Sequence, residues 1–165
     1  MHGGWNWDVA LLVLRLSEAY VFLYAAWLNT KDAAAWQWTV NETGLLFQKF
    51  QEPQQKKLAL LCSIVGMIMM YGGGISVLLG LEPRLGGSMI AVFSLLGMKL
   101  HAIRRDQALK AAQGGDQMGW VAYSANVAAG LKNWVLAGGC VALVLTGAGR
   151  YGLGIDHFGR LIGLG

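Results

Sequence analysis

The chain has 165 residues, 55% of them hydrophobic and only 13% charged, with a formal charge of +4. Soluble domains average about 25% charged residues, so this composition leaves too little polar surface for an ordinary water-soluble fold. The basic residues form no continuous stripe and sit beside apolar runs, which excludes a nucleic-acid partner and points to topology signals and anionic lipid contacts.

Met1 to Asp8 is too short and too polar for a signal peptide. Trp5 and Trp7 precede the first apolar run and suit an interfacial anchor. A bilayer core about 30 Å thick is crossed by about 20 helical residues, and 9–28 meets that length. This span carries Arg15 and Glu18, three apart and therefore on one helical face. A lone charge at mid-bilayer costs about 3 kcal/mol, so both are expected to face protein, toward Gly72–Gly74. Ser17, Tyr20 and Tyr24 fall on the opposite face, which predicts protein neighbours on more than one side.

Asn29 to Lys57 mixes Trp36, Trp38, Leu45, Leu46, Phe47 and Phe50 with polar groups. It reads as an amphipathic segment lying in the headgroup region, with Asn41-Glu42-Thr43 starting a short helix, or as a partly ordered loop. Residues 58–81 and 85–103 are two further spans joined by Glu82-Pro83-Arg84, a connection too short for anything but a hairpin. Gly72, Ser76 and Gly80 form a small-xxx-small seam, widened by Gly73 and Gly74, and Gly87, Ala91 and Ser94 offer a facing stripe.

Arg104 to Gly119 reads as a helix extension followed by a turn. The last span lies over 121–147. Along it Asn126, Gly130, Asn133, Ala137, Cys140, Val144 and Gly147 share one small or polar face, the interior face of a bundle. The glycine-rich tail from Ala148, with Arg150, Asp156, His157 and Arg160, reads as a surface-lying end. The fold expected is therefore all-α: a single integral membrane domain over 1–165, a four-helix antiparallel bundle with an interfacial segment between helices 1 and 2. Lys31, Lys49, Lys56, Lys57, Arg104, Arg105 and Lys110 outnumber Arg84, Arg150 and Arg160, which places the loops in the cytoplasm and the termini outside.

Gly72 to Arg84, a Gly-Gly-Gly-x-x-x-Leu-Leu-Gly-Leu-x-x-Arg pattern, resembles the central hairpin of the DoxX family of small four-helix membrane proteins. Leu145 to Tyr151 with Asp156 is similar to that family's closing Gly-Pro-Gly-Arg and Asp, and Arg15 stands where the family often has an arginine. The chain departs from the pattern at Met69-Met70, where members often carry an acid, at the glycine missing after Arg15, and at Ala148. The family includes the membrane subunits of thiosulfate:quinone oxidoreductases. The resemblance thus implies a subunit of a redox or electron-transfer complex in a prokaryotic inner membrane, with quinone as a non-covalent cofactor and a separate catalytic protein as partner. A non-catalytic structural or accessory subunit of a larger membrane complex, binding lipid or pigment, is the other class.

Helical rise puts Arg15 about 9 Å and Glu18 about 14 Å inside the terminal side, with Tyr71 near the same level. These residues either line one pocket able to hydrogen-bond a quinone carbonyl, or Arg15 and Glu18 form a structural ion pair. His101 is a polar residue near the loop side, or a ligand to a metal or porphyrin-type centre. No second histidine lies in a span, which excludes a bis-histidine haem from this chain alone, and no metal site is assigned. Cys62 and Cys140 differ in depth by roughly 12 Å, beyond disulfide reach, so a dithiol mechanism is disfavoured. No catalytic residue is assigned.

Overall fold

The structure, a computed structural model, describes residues 5–154. It is all-helical, in the order α1 (Trp5–Thr30), α2 (Ala33–Gly44), a 3-10 turn (Leu45–Phe47), α3 (Glu52–Leu79), α4 (Pro83–Gln113) and α5 (Gln117–Thr146). Helices α1, α3, α4 and α5 are each long and apolar enough to cross a membrane, and they pack against one another as an antiparallel bundle. Asp8 near the start of α1 accepts a hydrogen bond from the Arg150 backbone N–H at 2.9 Å, so the two ends of the described chain meet on one face. Asp156, His157 and Arg160 lie outside the described residues, as does the side chain of Trp5.

Local chemistry sets the helix limits. Asp32 caps α2 by accepting from the Ala35 N–H at 2.7 Å. The short helix therefore begins before Asn41, not at it. Its first turn is three alanines, which lose no side-chain entropy on becoming helical. Helix α3 ends at Gly80 with φ 64°, a left-handed residue that only glycine adopts without strain. The Gly80 N–H reaches Val77 O and the Leu81 N–H reaches Ser76 O, both at 3.2 Å, closing a Schellman turn. Pro83 then opens α4, where its missing N–H costs nothing.

Small residues bring these helices together along part of the seam expected: a Cβ on Gly86 of α4 would lie 2.9 Å from the Ser76 side chain, and Gly73, Gly74 and Gly80 are buried. Gly72 is exposed. A Cβ on Gly73 would lie 3.0 Å from Gly86 O, and one on Gly74 would lie 2.9 Å from the Leu23 side chain. Adjacent glycines point about 100° apart, so Gly73 serves α4 while Gly74 serves α1. Gly87 of the predicted stripe faces α5 instead, with a Cβ there 3.0 Å from Cys140 O. The predicted inner face of α5 is borne out at Ala137 and Cys140, both buried.

The second polar face of α1 is not covered by the other described helices of this chain. Ser17 bonds back to Val13 O at 2.8 Å, and Tyr20 and Tyr24 are exposed. Their rings stack on each other with centroids 5.9 Å apart, and Tyr24 also stacks on Trp27 at 5.8 Å. A serine that satisfies its hydroxyl on its own helix needs no neighbour.

Candidate functional site

Arg15 and Glu18 are buried in the terminal half of the bundle, at 1% and 5% exposure. Their face of α1 does point inward, but toward the end of α3 and the last third of α5, not Gly72–Gly74. Arg15 donates from Nε to Val77 O at 2.9 Å, from Nη2 to Leu78 O at 2.8 Å and from Nη1 to Ala148 O at 3.1 Å. The first two carbonyls belong to the last turn of α3, where unpaired carbonyls and the helix dipole attract a cation. Glu18 accepts from the Cys140 thiol at 3.6 Å, and its second oxygen lies against Gly139, where any Cβ would overlap it. Among the described residues no Arg15–Glu18 ion pair forms. The guanidinium settles on carbonyls at the negative end of α3, one of which, Val77 O, it shares with the Gly80 N–H, and the carboxyl turns the other way toward α5.

Tyr71 does not join them. Its hydroxyl is 2.7 Å from Thr30 Oγ1, at the loop end of α1. Helical side chains lean toward their own N-terminus, and for α3 that is the loop side. A depth counted from Cα rise alone therefore misplaces a long side chain. Among the described residues Tyr71 does not converge with Arg15 and Glu18 into the pocket expected from the sequence.

The loop half instead holds a cavity of about 380 Å³. All five helices line it, mostly with apolar groups such as Phe22, Met67, Met70 and Phe93. Its polar wall includes Thr39, Glu42, Ser63, His101, Lys132 and Asn133. The volume falls in the range of about 300–1,000 Å³ usual for small-molecule sites. His101 also borders two outer hollows, one of about 380 Å³ on the α4–α5 face and one of about 510 Å³ beside Arg104. Cys62 lines the cavity while Cys140 sits at Glu18, and both are free thiols, as the depth difference implied.

His101 is oriented by Asn126 on α5. Asn126 Nδ2 donates to Ala122 O at 2.8 Å, which turns its Oδ1 toward His101 Nδ1 at 3.1 Å. A carbonyl can only accept, so this chain of bonds assigns the hydrogen of the neutral ring to Nδ1. Nε2 is then the acceptor. Among the described residues no three His, Cys, Asp or Glu side chains converge to hold a metal ion.

Sequence reasoning missed two members of this site. Glu42 on α2 accepts from Arg104 Nε at 2.8 Å and pairs again through Nη2, pinning α2 beneath the cavity. Ser63 is 3% exposed and its hydroxyl has no hydrogen-bond partner. The chain matches no known protein family, no curated protein and no solved structure.

Proposed function

We propose that this protein is a DoxX-like membrane subunit of a quinone-linked redox or electron-transfer complex, one that holds quinone in the loop-half cavity. The observation that carries this reading is an apolar cavity, opening at hydrocarbon depth, with a few polar groups on one wall. Val65 and Leu96 line it and are 45% and 41% exposed. Each lies about 10 Å inside its span by helical rise, so a molecule dissolved in the acyl chains can enter without crossing the headgroups. The lining fits the group: apolar walls for a ring and tail, with Ser63, His101 and Asn133 for ring oxygens. A bound quinone would supply uptake and release of two electrons and two protons. The protein's own residues bind and orient the ring, and His101 Nε2 is available as a proton acceptor. Electron delivery falls to a separate protein partner.

In this reading Arg15 and Glu18 brace the terminal half and are not the quinone site. The three carbonyl bonds of Arg15 also favour the second class, a structural or accessory subunit holding lipid or pigment. The loops face the cytoplasm of a prokaryotic inner membrane and the termini face outward, following the basic residues.

Organic extraction of the purified protein tests the choice. Quinone is expected in near-stoichiometric amount, reduced severalfold by His101→Leu and retained by Glu18→Gln. Recovery of lipid or pigment without quinone would favour the accessory reading.

A further inference from the structure

Hydroxyls inside apolar helices normally settle on their own backbone. Ser94, as buried as Ser63, donates to Ile90 O at 2.9 Å, and Ser17, Ser88 and Ser124 each bond the carbonyl four residues back at 2.8 to 2.9 Å. Thr30, Thr39, Thr43 and Thr146 do the same. Ser63 has the Ala59 carbonyl in the same position on its own helix, yet its Oγ makes no bond at all. Among the described residues it is the one side-chain nitrogen or oxygen both buried and unpartnered. Leaving such a group dry and unpaired is unfavourable, so a partner from outside the chain is expected.

The position of Ser63 names the partner's chemistry. It lines the cavity, one turn before Gly66 and Met67. Gly66 brings α3 close to α4, where a Cβ would stand 3.1 Å from the Phe93 ring. By helical rise Ser63 lies about 8 Å inside its span, deeper than a phospholipid headgroup can follow. We infer that Ser63 anchors the cavity's ligand, its hydroxyl donating a hydrogen bond to a ring carbonyl of a long-tailed, uncharged membrane molecule. The ring lies among Phe22, Met67 and Phe93, and the tail leaves between Val65 and Leu96 into the bilayer. This rests on the proposed quinone reading for the ligand's identity alone; a ring ketone without redox chemistry meets the same requirement.

The test uses the purified full-length chain and three probes sharing a decyl tail. One is a benzoquinone, one a cyclohexanone and one plain decylbenzene, which has no oxygen. Ser63→Ala is expected to weaken the quinone and the ketone by about five- to tenfold, the usual effect of one hydrogen bond, and to leave decylbenzene unchanged. Without ligand, Ser63→Ala should melt at the same temperature or higher, because it removes a hydroxyl that the fold leaves unpaired. Affinities for both oxygenated probes within twofold of wild type would overturn the assignment. So would a drop of several degrees in the unliganded melting temperature, which marks a serine bonded within the fold, or failure of the wild type to bind either oxygenated probe. Ser63-dependent binding of the ketone with no binding of the quinone would uphold the anchor and overturn the quinone reading.

Discussion

Arg15 ties three separate pieces of chain together through backbone carbonyls at the end of α3 and just after α5. A lysine offers one point donor on a flexible stem and does not span three carbonyls in a plane. Arg15→Lys should therefore cost about 2–4 kcal/mol, read as thermal unfolding in detergent, with the charge unchanged. Gly80→Ala should fail by the same route. It places a side chain at φ 64° and over the guanidinium, so its loss should exceed the roughly 1 kcal/mol of a left-handed residue. Gly139→Ala should displace Glu18 alone, a milder defect that Glu18→Ala relieves in the double variant. The burial of Arg15 and Glu18 was legible in the sequence, because a charge facing lipid is costly whatever the fold. Their partners were not. Backbone carbonyls carry no residue signature, and which of them an arginine meets depends on how α1 is rotated. Ser63 was equally silent, since a serine in a small-residue helix looks the same bonded or unbonded until its hydroxyl is placed.

At the scale of elements, the four spans followed from apolar length and the hairpin from Glu82-Pro83-Arg84, which physical limits on crossing and turning make nearly unavoidable. Helix α2 was harder. Its apolar and polar residues alternate too irregularly to reveal that Asp32 caps it or that Thr39 and Gly44 are buried beneath α1 and α3. What fixes it is the long-range pair between Glu42 and Arg104, whose side chains are 13% and 40% exposed. Two parallel bonds to a largely buried carboxylate outperform a solvent-exposed pair. A double-mutant cycle of Glu42→Gln and Arg104→Gln should give a coupling of about 1–2 kcal/mol. Amide hydrogen exchange across Thr39–Thr43 is the measurement, and faster exchange in either single variant is expected. Since α2 floors the cavity, the same variants should also weaken ligand retention.

For the whole molecule, the cavity's meaning depends on which way the bundle sits in the bilayer. Asp8 and Arg150 meet at one end, so the loop-half cavity lies at the opposite end, beside Lys31, Lys49, Lys56, Lys57, Arg104, Arg105 and Lys110. Cytoplasmic loops retain lysine and arginine in excess, so in the proposed topology this cavity would lie near the cytoplasmic leaflet and the Arg15 clasp near the outer one. Most of these residues lie at the ends of α3 and α4, within the distance over which such charges act. Their placement also suits the anionic lipids of the inner leaflet. A partner exchanging electrons with a quinone held there would dock on the cytoplasmic face. The prediction is direct. In a variant with Cys62 and Cys140 replaced by alanine, a cysteine at Gln113 in intact cells should resist a membrane-impermeant maleimide, and one at Gly149 should react. Loop-side charges should control the result: replacing Lys56, Lys57, Arg104 and Arg105 with glutamine leaves no basic excess over Arg84, Arg150 and Arg160, so a fraction of the chains should then insert inverted. Labelling at Gln113 in the unaltered loop background would place the cavity near the outer leaflet and move the expected partner to the other face.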